Sequence, residues 1–92
     1  MGKFEIVLKP KAQKDFSRIE KSGQKSVIKK LEKMVLELSE HPKTGTGKPE
    51  KLKFELSGLW SRRLNKKDRL IYEIIEKPDK KVVVISALGH YE

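Results

Sequence analysis

Ninety-two residues are enough for one domain, with a core near the lower limit for folding alone. The absence of cysteine excludes disulfide staples, thiolate nucleophiles and thiolate metal sites. A net charge of +9 favours a polyanionic partner, and no apolar run reaches the ~18 residues of a membrane span or forms a signal-peptide core, so a soluble, cytoplasmic protein is expected.

Phe4, Ile6 and Leu8 alternate with Glu5, Val7 and Lys9, which predicts a half-buried strand over residues 3–9. Pro10 suits the first turn of a helix, where its missing N–H costs nothing; Ala12, Phe16 and Ile19 form the apolar stripe and Ser22-Gly23 ends it. A second helix carries Val27, Ile28, Leu31, Met34, Val35 and Leu38 on one side, with Lys29, Lys30, Lys33 and Glu37 expected to face away. His41-Pro42 stops it, and residues 43–49 (KTGTGKP) read as a loop. Leu52, Phe54 and Leu56 alternate as a strand, and Ser57-Gly58 turns the chain into a second one, Leu59 to Leu64. Asn65 to Asp68 turns into a strand over Arg69 to Lys77. Pro78-Asp79-Lys80 then leads to Val82–Leu88, whose continuous apolar run suits a central strand. The expected fold class is α+β, in the order β-α-α-β-β-β-β, as a single domain over residues 1–92. A two-helix hairpin would pack on one face of a short, twisted, mainly antiparallel sheet. The other face stays open for the polar residues of the last strands.

The charge is concentrated. Residues 43–69 hold nine Lys/Arg against three Asp/Glu, whereas residues 70–92 hold three against four. The same region contains a candidate base, Glu50, among the cations Lys53, Arg62, Arg63 and Arg69, and His90 near the C-terminus is a candidate acid. Such groups can cut RNA without a metal: a base for the 2′-OH, cations for the phosphorane and an acid for the leaving oxygen. Taken singly they are ordinary. A lone Glu among lysines is usually a surface ion pair, and a histidine near a terminus is usually part of a frayed tail. Arg62 and Arg63 point to opposite faces of a strand, and Trp60 shares the face of Arg62, where a core role suits its indole better than base stacking. GTGKPE is no phosphate loop, because Pro49 follows Lys48 where Ser or Thr should stand and no helix follows. His41 and His90 lie far apart without carboxylates at ligand spacing, so no metal site is expected.

GKPEKLK, LSGLWSRRLN, RLIYEI and the closing GHYE resemble the YoeB/Txe branch of the RelE superfamily, the ribosome-dependent mRNA-cleaving toxins of bacterial type II toxin–antitoxin pairs. The resemblance is close over Gly45–Tyr72 and at the C-terminus, and only pattern-level over the first forty residues. It implies a RelE-like fold and a metal-independent, cofactor-free endoribonuclease that inhibits translation. Glu50 would act as general base, His90 as general acid and Arg69 as transition-state stabiliser, with Lys53, Arg63 and Tyr91 in support. Around them Lys48, Lys51, Arg62, Arg63, Lys66 and Lys67 would meet RNA phosphates, and Lys29, Lys30 and Lys33 would dock on the ribosome. The implied partners are the ribosome, mRNA and a YefM/Axe-like antitoxin; no membrane is involved, and a homodimer stays open. Glu92 departs from the enterobacterial pattern, which stops at the Tyr. Two alternatives remain at this point: a ParE-type gyrase-inhibiting toxin on the same scaffold, which would lack the base–acid pair, and a non-catalytic RNA- or ribosome-binding module.

Overall fold

The chain runs β1 (Glu5–Leu8), α1 (Pro10–Lys21), α2 (Lys25–Glu40), β2 (Glu50–Lys51), a 3₁₀ turn (Phe54–Leu56), β3 (Leu59–Arg63), β4 (Arg69–Ile75) and β5 (Lys81–Ser86). The structure is a computed structural model that describes residues 3–88. Its five strands form one sheet in the order β1-β5-β4-β3-β2, parallel between β1 and β5 and antiparallel elsewhere. The α+β class, the helix hairpin and the mainly antiparallel sheet agree with the sequence pattern. Pro10 opens α1, as its fixed φ favours. At the end of α2 the His41 N–H closes on the Glu37 carbonyl at 2.6 Å, and Pro42 cannot continue the ladder.

The core lies between the helices and one face of the sheet. Ala12 and Ile19 from α1 and Leu31, Met34 and Leu38 from α2 meet Leu70 and Tyr72 of β4 and Val82 and Val84 of β5. Trp60 packs against the same cluster from β3, in keeping with its expected core role. The register then fixes the opposite face. Glu50 pairs across from Ser61, Ser61 from Ile71, and Arg63 from Arg69, so these side chains project away from the helices. Ser61, Ile71 and Val83 all lie on that face and are nonetheless buried.

Two expectations need correction. Leu52–Leu56 is not a strand: β2 covers only Glu50–Lys51, and the chain then coils into the 3₁₀ turn. The physical reason is Phe54, whose φ of +59° lies outside the extended region and turns the backbone out of the ladder. Leu52 still donates its N–H to the Leu59 carbonyl at 2.9 Å, after which the 3₁₀ bonds take over. Glu37 does not face away either. Its side chain is 15% exposed and forms an ion pair with the buried Arg62.

Candidate active site

On the face away from the helices, Glu50 reaches its cation across the sheet. A Glu50 Oε2 lies 4.0 Å from Arg69 Nη1, with the two side chains 67% and 33% exposed. They stand on β2 and β4, with β3 between them, and the β3 residue level with Arg69 is Arg63. One carboxylate and two guanidinium groups therefore share a solvent-facing surface. A 4.0 Å contact between exposed groups is loose and contributes only ~0–1 kcal/mol, so Arg69 could exchange it for another anion at little cost. Lys48, Lys51, Lys53, Lys66 and Lys67 are all exposed, though Lys51 pairs across from Trp60 on the helix-bearing face and Lys67 lies near α1 and α2. Lys29 and Lys33 are exposed on α2, and Lys30 is half-buried.

Arg62 is not one of these surface cations. It is fully buried, and all five of its N–H donors have acceptors. Nε donates to the Tyr72 hydroxyl at 3.2 Å, Nη1 to Glu37 Oε1 at 2.8 Å and the Thr46 carbonyl at 3.4 Å, and Nη2 to the His41 and Thr44 carbonyls at 3.2 and 2.7 Å. Its expected role at RNA phosphates is thereby overturned: a guanidinium so enclosed has nothing left to offer a phosphate. What it does is gather the loop between α2 and β2 against the core. Glu37 completes the clamp by accepting the N–H and hydroxyl of Thr46 at 2.8 and 2.9 Å. Burial pushes the Glu37 carboxyl up, but those bonds and the Arg62 charge outweigh it and hold the group below its usual range. Tyr72, which donates to the Pro42 carbonyl at 2.9 Å, has its phenol pushed up by burial, partly offset by Arg62.

The same loop explains two glycines. A Cβ on Gly45 would sit 2.5 Å from Glu37 Oε1, and one on Gly47 would sit 2.7 Å from the Arg63 carbonyl oxygen. Gly47 also accepts the Arg63 N–H at 2.7 Å, so the loop is tied to β3 three residues before Glu50. On the helix side of the sheet, Asp15 on α1 is buried and Oδ2 accepts the N–H groups of Ala87 and Leu88 at 3.0 and 3.2 Å and a bond from Lys11 Nζ at 2.7 Å. Burial raises this carboxyl, yet the three hydrogen bonds and the Lys11 charge bring it below its ordinary range. His90 and Tyr91, the expected acid and its neighbour, lie outside the described residues. Among the described residues no group of three His, Cys, Asp or Glu side chains could hold a metal ion, and no helix is long and apolar enough to cross a membrane.

Residues 8–91 match the family described as the YoeB-like toxin of bacterial type II toxin–antitoxin systems. The chain belongs to that family. It is 39% identical over 70 residues to a toxin YoeB of Synechocystis sp., covering 76% of this chain and 78% of that protein. Among solved structures it resembles the YoeB dimer from Staphylococcus aureus, with a TM-score of 0.80, 31% identity and coverage of 97% of this chain and 99% of that one. It is also similar to the toxin chain of the YoeB–YefM complex from the same organism, with a TM-score of 0.78, 30% identity and coverage of 96% and 98%. The five-stranded mixed sheet with its helix hairpin is thus the fold of YoeB-like toxins.

Within this YoeB-like chain, two anchoring carboxylates, Asp15 and Glu37, escaped the sequence pattern. Asp15 stands on the apolar stripe of α1 between Ala12 and Ile19, a carboxylate where a core residue belongs. That misplacement was its signal. Glu37 gave a weaker one, lying three residues after Met34 and directly before Leu38.

Proposed function

We propose that this toxin is a ribosome-dependent endoribonuclease, acting in the cytoplasm and cleaving mRNA by general acid–base chemistry without a metal. Glu50 takes the proton of a ribose 2′-OH, and the oxygen attacks the adjacent phosphorus. The bond from phosphorus to the 5′-oxygen breaks, and His90 delivers a proton to the leaving oxygen. The products are a 2′,3′-cyclic phosphate and a 5′-hydroxyl. Arg69 and Arg63 face the phosphorane, whose negative charge an arginine can meet without losing its proton. Lys53 and Tyr91 assist. The parts of His90 and Tyr91 rest on the sequence resemblance.

The observation that supports this most is the Glu50–Arg69 contact of 4.0 Å on the sheet face away from the helices, with Arg63 level with Arg69. Such an open site needs help. General acid and base catalysis contribute ~10² to 10⁴, and a placed cationic donor about 10² to 10³. Aligning a flexible strand for in-line attack is worth up to ~7–11 kcal/mol. A ribosome that holds the mRNA still would supply that alignment, with Lys29, Lys30 and Lys33 on α2 and Lys48, Lys51, Lys66 and Lys67 around the site meeting rRNA or mRNA phosphates. A cognate antitoxin with an acidic and apolar segment would silence the enzyme by covering this face, as YefM is the partner in the S. aureus complex.

The test is cleavage of a defined mRNA on programmed ribosomes, with the 5′ fragment analysed at its new end. A 2′,3′-cyclic or 3′-phosphate, formed in excess EDTA under conditions that keep ribosomes intact, is the expected product. A 3′-hydroxyl end, or a requirement for added Zn²⁺ or Mn²⁺, would sink the mechanism.

A further inference from the structure

Phe54 occupies a position that folding alone does not explain. The residue is 91% exposed, so its ring adds nothing to the core. Its φ of +59° is in the left-handed region, which bulky L residues avoid. A glycine or asparagine would make the same turn with neither penalty, and unfavourable backbone that persists tends to mark function. The turn that presents the ring is well fastened. Leu56 and Ser57 donate their N–H groups to the Lys53 and Phe54 carbonyls at 3.2 and 3.0 Å, and Leu52 ties the base of the turn to Leu59 at 2.9 Å.

The ring also stands beside the chemistry. Residues Glu50–Leu56 enclose an open cleft of about 630 Å³, with the proposed base Glu50 at one end of the segment and Phe54 toward the other. Lys51 and Lys53 are exposed between them. An open aromatic face interleaved with ammonium groups matches what a single-stranded nucleic acid presents, a base with a π-face and phosphates to either side. Glu55 lines the cleft next to Phe54, and with the base Glu50 it offsets the two lysines, so the exposed ring is the feature that sets the occupant.

We propose that Phe54 is a stacking platform for a base of the RNA strand next to the scissile phosphate, and so a substrate-positioning residue. This rests on the ribonuclease reading above. Because the ring makes no core contacts, its replacement leaves the fold in place.

The experiment compares Phe54→Ala, Phe54→Leu, Phe54→Trp and Phe54→Gly with the wild-type chain in single-turnover cleavage on ribosomes programmed with one mRNA. Alanine substitution at a base-stacking position weakens binding by ~1–3 kcal/mol, which converts to roughly a 5- to 150-fold loss of kcat/KM. Ala, Leu and Gly are all expected to show that loss, and Trp to retain activity. Phe54→Gly is expected to melt no lower than wild type while cutting poorly, which separates function from folding. Wild-type rates in Phe54→Ala overturn the proposal. Wild-type rates in Phe54→Leu do so too, since they would show an apolar contact rather than stacking. If Phe54→Ala cuts normally but loses antitoxin affinity, the ring is a protein anchor and the proposal is wrong. Failure of the wild-type chain itself to cut removes the ribonuclease reading and this inference with it, whereas a loss confined to the variants bears on Phe54 alone.

Discussion

Removing the Arg62 guanidinium should destabilise the fold rather than remove a surface cation. The group is fully buried, and its five donors meet Tyr72, Glu37 and three carbonyls of the segment 41–46. Deleting one partner of a buried pair costs ~3–5 kcal/mol, because the survivor stays desolvated. Here the survivor keeps some support, since Glu37 still accepts two bonds from Thr46, so Arg62→Ala belongs near the lower end of that range. Three further acceptors, the carbonyls of His41, Thr44 and Thr46, lose their donor and push the cost back up. For a domain whose total stability is ~5–15 kcal/mol, a loss of about 3 kcal/mol is severe. At ~4–8 °C per kcal/mol for a chain of this size, the melting temperature should fall by more than ~10 °C. Arg62→Lys should recover only part of that loss, because an ammonium has three donors in a compact head and cannot span five acceptors. Thermal and urea unfolding of Arg62→Ala, Arg62→Lys and Glu37→Gln, with the double variant, give the coupling. A Tm for Arg62→Ala within ~2 °C of wild type, below the shift that a single kcal/mol produces, would refute the buried network. So would a drop of about one unit in the salt slope of ribosome binding, the signature of a lost phosphate contact, which is instead expected for Arg63→Ala.

Glu50→Gln and Arg69→Ala should each reduce cleavage on programmed ribosomes by ~10²-fold or more while leaving Tm nearly unchanged, because both side chains are partly or largely exposed; a matching loss of Tm would mark them as structural. Asp15 and Glu37 both have folded carboxyls held below their usual range, so their stabilisation is complete above the ordinary carboxylate range and is lost as pH falls through the lower folded values. Tm should therefore decline from about pH 5 downward, and Asp15→Asn should flatten that acid limb; an unchanged limb would show the carboxylate is not clamped. Gly47→Ala should cost more stability than Gly58→Ala, since both need a positive φ but only Gly47 would drive its Cβ into the Arg63 backbone. Equal melting temperatures for the two would contradict that contact.

Much of the fold could be read from period alone. The stripes of α1 and α2 and the apolar run of β5 are long enough that burial dictates type, and Pro10, Gly23 and Pro42 punctuate them. The segment 52–56 misleads because Leu, Phe and Leu at every second position look like a strand face; only the backbone angle at Phe54 shows that the ring leaves the sheet. Arg62 is more instructive. Alternation put Arg62 and Arg63 on opposite faces without saying which face was which. Yet Trp60, on the face of Arg62, favoured the core, and that already implied a buried guanidinium. The Glu50–Arg69 contact had no sequence signal at all, since it needs the register of three strands at once.

The placement of buried charge joins stability to the site. Among the described residues the charged side chains that are buried are Asp15, Arg62 and Asp68. Each is tied to a segment that carries, or adjoins in sequence, a proposed site residue. Arg62 fastens the loop that delivers Glu50, and Asp15 fastens Ala87–Leu88, directly before the segment that contains His90. Asp68 belongs to the turn from Arg63 to Arg69, where its side chain accepts from Asn65 at 3.0 Å and its carbonyl accepts the Leu64 N–H at 3.0 Å. An exposed face cannot orient its own side chains by packing, because water competes for every contact. Fixed backbone on the protected side can, and charged anchors suit the task because they lose several directed bonds at once when displaced. The small core of this chain then has two duties, to hold the sheet together and to fasten the segments 41–46, 65–68 and 87–88. Substitutions that weaken an anchor should therefore depress cleavage at temperatures where the protein is still folded, ahead of any change in Tm large enough to unfold it.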